Sequence, residues 1–322
     1  MFKEIIRIIT CLCMVVALVT LFPEKVYAAH PEYVKKCCCM CHHTHKKCKK
    51  RISILSNVKY DLSKFFIHTI GRTSKGVNLC LNEGLTSGKT LDYIYQNNPQ
   101  GSFIIGKMID RQFLNNPGWQ GVRWRRANLE TLLTEAIIDV RNQNKSISLV
   151  DIASGPGSYI LSVIGNVGED DVVALCRDLD ERWLAEGSRA AETCGLRHVR
   201  FEKGDAFNED ELQALQPKPN IIVSSGFYDW IVDDEKVKLS ITMSYNTLEE
   251  GGCIIVTNQT AHPNLEFVER VFSDFNNEPL RMTMRSKDTM NQWLEEAGFE
   301  VEKTLSDPYG YYSVTKARKI KR

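Results

Sequence analysis

Three aspartates, Asp151, Asp178 and Asp205, each come at the end of a short apolar run, and the three runs succeed one another along the chain. Carboxylates gathered at neighbouring strand ends suit a ligand that carries an ammonium group, a ribose and an adenine, and no phosphate. Asp178 would accept from ribose hydroxyls, Asp205 would sit near the adenine amino group, and Asp151 would support the loop or the amino-acid end. Any one of these aspartates by itself reads as a helix cap or a solvated loop residue. Their joint occurrence in register is the signal. Between the first two lies a turn with Gly155 and Gly157, whose missing side chains let a backbone approach a ligand closely. A dinucleotide fingerprint wants a third glycine where Ile160 stands, which weakens a nicotinamide or flavin reading.

Residues that handle a second substrate would have to follow the fourth and fifth strands. Those are Tyr228, Asp229 and Trp230 in SGFYDW, and Asn258, Gln259 and His262 in TNQTAHP. His262 could serve as a general base, although a histidine before proline also caps a following helix. Tyr228 could act at the reacting centre, cover the ligand or fill the core. Upstream, Trp119, Arg123, Arg125 and Arg126 could clamp an anionic phosphate or carboxylate, or be solvated at a helix start. SGKT at 87–90 is not a phosphate loop, because Glu83 occupies the place of its first glycine and no apolar strand leads into it.

The elements that position these residues alternate from residue 147 onward, which predicts a mostly parallel sheet with helices on both faces. The expected strands are ISLVDIA (147–153), DVVALCRD (171–178), HVRFEKGD (198–205), NIIVSSGF (220–227) and GGCIIVTNQ (251–259). Helices are expected over 180–195, 209–216 and 234–250, followed by one that ends at Gly298 and two late strands, EVEKTLSD and YYSVTKAR. Ligands of such sheets bind at the carboxyl ends of the strands, where the three aspartates fall. Before the sheet, Leu129, Leu132, Leu133, Ala136, Ile137 and Val140 recur at helical spacing and predict a helix packed on the sheet domain.

VDIASGPG and EKGDAF, in this order on the first and third strands, resemble the first motif and the acidic loop of class I S-adenosylmethionine-dependent methyltransferases. SGKTLDYIYQN, GKMIDRQFLNNPGWQGVRWRR, VSSGFYDW and DPYGYYSVTKARK narrow the resemblance to a family of bacterial methyltransferases, some fused to lipase or hydrolase domains. It covers roughly residues 72–319 and leaves the first 56 outside. The resemblance implies a Rossmann-like methyltransferase sheet whose last strand is antiparallel, a helical N-terminal extension, and S-adenosylmethionine as cofactor. It further implies that Ala153, in place of the commonest first glycine, and Ala206 line the cofactor site beside Asp151, Gly155, Gly157, Asp178 and Asp205. Thr260 and Ala261 depart from the family where proline and tryptophan usually precede the His-Pro pair, which bears on the acceptor pocket. SSGFYDW is not the Asn/Asp-Pro-Pro-aromatic motif that binds planar amino groups of bases, so exocyclic nucleobase methylation is disfavoured.

Lysine plus arginine, 41, nearly balances aspartate plus glutamate, 40, so no global field draws the chain to polyanions and nucleic acid is not an expected partner. Residues 1–30 combine a basic start, an apolar run from Ile8 to Phe22 and small residues at Ala28 and Ala29. That is the grammar of a signal peptide, or of a short anchor. Residues 31–56 hold five of the eleven cysteines and three histidines among lysines, a tract that suits acylation beside a membrane or a solvated basic tail. Three adjacent cysteines cannot all face one tetrahedral ion, so no metal site is expected there. The expected domains are thus 1–30, 31–56, a helical extension or lid at 57–145, and a cofactor-binding domain at 146–322. The expected activity is methyl transfer to a small-molecule or lipid-like acceptor at a membrane surface. Catalysis would involve His262 and Tyr228, and the acceptor would meet Trp119, Arg123, Asn258 and Gln259. A cofactor-binding regulatory protein without catalysis and an NAD-dependent oxidoreductase are the alternatives. Lysines behind the apolar run place the catalytic domain in the cytoplasm if the run is retained, whereas a cleaved signal would secrete it.

Overall fold

A computed structural model describes residues 54–273 and 280–320. The signal-like segment 1–30 and nearly all of the cysteine-rich tract lie outside the described residues. The chain divides into two compact units, one comprising Pro117–Pro263 with Arg281–Arg322, the other the chain up to Asn116 with Asn264–Leu280.

In the second of these units, helices α1 (Ile54–His68), α2 (Lys75–Glu83), α3 (Gly88–Gln96) and α4 (Phe103–Leu114) are joined by α10 (Leu265–Val271). Its organising group is Asp110, wholly buried on α4. One carboxylate oxygen accepts from Ser74 Oγ at 2.7 Å and from the Gly76 amide at 2.8 Å, while the other accepts from the Gln100 amide at 2.8 Å and from the Tyr93 hydroxyl. A buried carboxylate needs such donors to be tolerated. The SGKT stretch opens α3: Ser87 caps the helix by accepting from the Thr90 amide at 3.2 Å, and the Thr90 hydroxyl donates to Gly84 O at 2.9 Å. It is a helix cap, as its lack of a phosphate-loop glycine implied.

The sheet unit begins with α5 (Pro117–Asn142), whose first residue is a proline already fitted to a helix start. Then follow β1 (Ile147–Ile152), α6 (Ser158–Val167), β2 (Val172–Asp178), α7 (Glu181–Cys194), β3 (Val199–Lys203), α8 (Glu209–Gln213), β4 (Ile221–Ser224), α9 (Asp234–Thr247) and β5 (Cys253–Gln259). After the excursion into the other unit come α11 (Lys287–Glu296), β6 (Phe299–Ser306) and β7 (Tyr312–Lys319). The strands form one sheet in the order β3-β2-β1-β4-β5-β7-β6, with β7 antiparallel to both neighbours and β1 to β5 parallel. The expected fold class is the observed one.

Alternation along each strand feeds two cores. Leu149, Ala174, Cys176, Val223 and Ile255 meet Leu129, Leu133, Ile137, Ile160 and Ile164 from α5 and α6 on one face. Val150, Leu175, Ile222 and Ile254 meet Tyr228, Ile241, Met290 and Leu294 on the other. This corrects the expected boundary at residue 145. The apolar stripe of α5 completes the first core, so the helix belongs with the sheet and the division falls at Asn116. Ile160, the residue that stands where a dinucleotide motif has glycine, is wholly buried in that core.

Candidate functional site

The loop after β1 reverses sharply, with Ala153 at φ 54°, Gly155 at φ 55° and Gly157 at φ 62°. Three left-handed residues in five bring the chain from the strand end into α6. The two glycines share a left-handed backbone and differ in what surrounds them. A side chain at Gly157 would begin 3.0 Å from Cys176 Sγ and 3.2 Å from Phe201, so interior packing crowds it, whereas a side chain at Gly155 would meet nothing within 4 Å. The open space a ligand could use therefore lies beside Gly155. Gly157, expected from sequence to leave room for the cofactor, is held by packing and by its backbone angle.

Asp178, at the end of β2, accepts from the Gly155 amide at 2.8 Å with one oxygen and from the Asp180 amide at 2.9 Å with the other. These bonds tie the β1 turn to the β2 end and aim the carboxylate, which keeps further lone pairs for an added donor such as a hydroxyl. After β3, Asp205 accepts from the Phe207 amide at 2.9 Å, and Ala206 beside it is buried. Asp151 is wholly buried beside the Tyr159 hydroxyl. Burial pushes its carboxyl well above the usual range; the nearby Tyr159 hydroxyl draws it partly back, and the Asp178 charge adds to the rise. A carboxyl so deeply buried is costly in isolation, and a cationic or hydrogen-bonding group at the strand ends would stabilise it further.

The carboxyl ends of β4 and β5 are built differently. Asp229 is buried, accepts from the Gln259 amide at 2.8 Å and faces Arg125 Nη1 at 3.6 Å. Burial raises its carboxyl to about 6 in spite of the Arg125 and Arg285 charges. The Arg125 guanidinium also lies over the Tyr312 ring, 5.1 Å from its centroid. Gly121 on α5 lets Tyr311 and Tyr312 pack against that helix, and the Tyr309 hydroxyl donates to Gln120 at 2.5 Å. The β6–β7 turn that presents these tyrosines is gathered by buried Asp307, which accepts from the amides of Tyr309, Tyr311 and Tyr312.

Among the residues expected to meet an acceptor, Trp119 and Arg123 stand partly buried on the first turns of α5, and burial lowers the Arg123 guanidinium. Asn258 is buried and donates to Arg285 O at 2.7 Å, and Gln259 is buried at the end of β5. His262 is half-buried just beyond, and burial lowers its imidazole to about 4. Tyr228 is wholly buried in the second core with its hydroxyl 3.2 Å from Ser240 Oγ, which gives it no surface toward a substrate. Arg126 pairs with Glu130 along the helix at 2.8 Å. The pairing of Arg125 with Asp229 was not foreseen: both residues stood out in the sequence, but nothing in a spacing of about a hundred residues indicates that they meet.

A family profile described as "Putative methyltransferase" matches residues 22–319. The chain belongs to this family. The match reaches back to residue 22, which corrects the expectation that the first 56 residues stand outside it. "Uncharacterized protein YnbC" of Escherichia coli K12 is 35% identical over 263 residues, which is 81% of this chain and 45% of that protein, so the chain spans less than half the length of this relative. Among solved structures, a "possible exported protein" from Bordetella parapertussis superimposes with a TM-score of 0.63 at 18% identity, covering 81% of this chain and 88% of the other. Magnesium protoporphyrin IX methyltransferase from Synechocystis PCC 6803, solved with bound S-adenosylhomocysteine, gives 0.50 at 13% identity, covering 74% and 97%. The CurJ carbon methyltransferase gives 0.54 at 13%, covering 83% and 71%. These likenesses establish a Rossmann-like methyltransferase fold. S-adenosylmethionine is the cofactor that fits it: an acid ends each of two adjacent strands, a third follows the next, open space lies beside Gly155, and no phosphate has to be accommodated. Among the described residues no group of His, Cys, Asp and Glu could hold a metal, and no helix is long and apolar enough to cross a membrane.

Proposed function

We propose that the protein transfers a methyl group from S-adenosylmethionine to a small-molecule or lipid-like acceptor, with no role for nucleic acid. The observation that carries this reading is the Asp178 carboxylate, fixed by the Gly155 and Asp180 amides beside open space, with the buried Asp151 carboxyl at the neighbouring strand end. When bound, the cofactor supplies a methyl group made electrophilic by its sulfonium. The chain's own residues then divide the work. Asp178 accepts from ribose hydroxyls, the backbone of Asp205 and Ala206 borders the adenine, and Asp151 faces the amino-acid end. Trp119, Arg123, Asn258 and Gln259 form the acceptor side. Alignment and exclusion of water supply much of the rate of an in-line displacement. At neutral pH the His262 imidazole is uncharged, so it can accept a proton from an acceptor hydroxyl or amine, though as a weak base. Tyr228 acts as core support and does not touch substrate. On the sequence of residues 1–56, we place the chain at the cytoplasmic face of a membrane.

The test is incubation of the purified full chain with methyl-labelled S-adenosylmethionine and a fractionated lipid and small-molecule extract. Label should enter one fraction, and Arg123→Ala should lower that transfer more than it lowers cofactor binding. Binding of S-adenosylhomocysteine without transfer to any fraction would instead make this a cofactor-binding protein without catalysis.

A further inference from the structure

The sequence around α4, GSFIIGKMIDRQF, is apolar on two sides where one would suffice for packing. The inner side is accounted for. Gly106 lies against the Thr73 carbonyl so closely that an added side chain would begin 2.4 Å from its oxygen, Gly101 rests equally tightly on Gly106, and Asp110 is locked by four donors. The Ser102 amide donates to Thr73 O at 2.7 Å, fixing where the helix starts. What this docking turns outward is Phe103, 86% exposed, with Ile104 at 79%, Met108 at 57% and Ile105 at 50%. Phe103 also adopts φ 54°, a left-handed conformation that a bulky residue occupies only where its surroundings enforce it. A strained, fully presented aromatic followed by two exposed isoleucines is not an ordinary scatter of surface apolar residues.

The other exposed side chains of α4 past its N-cap, Lys107 and Arg111, are cationic, and the helix's one acid is buried. Residues 57–116 carry seven Lys and Arg against four Asp and Glu. Apolar residues at a helix tip, flanked by cations and without exposed carboxylates, form the amphipathic pattern of a helix that dips into the interface of an anionic bilayer.

We propose that Phe103, Ile104, Ile105 and Met108 form a membrane-docking tip that inserts among the lipids of an anionic bilayer surface, with Lys107 and Arg111 on the headgroups. The proposal does not depend on methyl-transfer chemistry, nor on residues 1–56 reaching the membrane. It is tested on the full chain with the substitution Phe103→Trp, which keeps a large apolar ring at the tip, and with vesicles of phosphatidylglycerol and phosphatidylcholine in which part of the lipid carries bromine in its acyl chains. Fluorescence of the variant should be quenched at least about twofold more than that of the parent, whose five tryptophans provide the background. The excess should vanish on pure phosphatidylcholine vesicles at moderate salt, since the headgroup term is electrostatic. Equal quenching of variant and parent on the anionic vesicles would overturn the proposal, even if the whole chain sediments with them. So would a parent that self-associates in sedimentation velocity and becomes monomeric with Phe103→Ser and Ile104→Ser, because the tip would then be covered by a second copy.

Discussion

The carboxyl ends of β1 to β3 and those of β4 and β5 lie on one edge of the same sheet, yet they are assembled on different principles. The first half is local. Its acids end or closely follow successive strands, its glycines lie in one turn, and the bond from the Gly155 amide to Asp178 links residues 23 apart. The second half is drawn from four distant places: α5 gives Arg125, the loop after β4 gives Asp229, β5 gives Asn258 and Gln259, and the β6–β7 turn gives Tyr309 to Tyr312. A ligand shared by many enzymes can be held by a short reusable pattern. A pocket for one acceptor is shaped by whatever segments the fold brings near.

This contrast can be broken most forcefully at the β1 turn. Gly155→Val should lower affinity for S-adenosylhomocysteine at least tenfold, because the new side chain meets no protein atom and would fill the ligand's space; overfilling a site costs about 1–3 kcal/mol, and the left-handed φ of 55° costs the fold about 1–2 kcal/mol. Gly157→Val should cost the fold more and the affinity less. It adds crowding against Cys176 and Phe201 to the same left-handed backbone cost, so the thermal midpoint should fall by several degrees and further than in Gly155→Val. Calorimetric melting and titration of both variants separate the two effects. Equal losses of binding and of stability in the two variants would erase the distinction.

A smaller effect is expected on the acceptor side. The His262 imidazole is held at about 4 against its ordinary 6.5, so between those values the unfolded chain binds more protons than the folded one. The native state therefore loses stability as pH falls from 6.5 toward 4, by no more than about 1.4 kcal/mol per pH unit for a single group. His262→Gln should flatten that slope in urea titrations at pH 4.5 and 6.5, and an unchanged slope would mean that the imidazole titrates normally. The smallest change concerns Ala153 at φ 54°. Replacement by glycine relieves the left-handed strain but adds unfolded-state freedom, so Ala153→Gly should shift stability by less than about 1 kcal/mol and leave cofactor affinity unaltered.

What could be read from the sequence follows the same division. Apolar runs alternating with helical stretches showed the succession of strands in a doubly covered sheet, and the aspartates at or just past three strand ends drew attention to the edge proposed for the cofactor, because both signals are carried within a few residues. Helix α6, absent from the sequence expectation, follows directly from the turn that was read only for its glycines, and its buried Ile160 and Ile164 belong to the first core. The close packing around Gly157 could not be read locally because Phe201, the ring that crowds it, comes from β3. Tyr228 looked reactive beside Asp229, yet it points into the core while its neighbour turns to Arg125. No local pattern distinguishes those two orientations. The one sequence signal for the β6–β7 turn was Asp307-Pro308 before the tyrosines, a turn-initiating pair whose carboxylate gathers three amides.

The central claim, that the edge at Asp178 holds S-adenosylmethionine, is tested most directly by isothermal titration of the full chain and of Asp178→Ala with S-adenosylhomocysteine, with NAD as the competing ligand. The account predicts saturable binding of S-adenosylhomocysteine and none of NAD. It predicts a loss in the variant of about 1.5–3 kcal/mol, the cost of removing a charged hydrogen-bonding partner, which is roughly a 10- to 150-fold weaker dissociation constant. Unchanged affinity in a folded Asp178→Ala protein, or tighter binding of NAD than of S-adenosylhomocysteine, would contradict it.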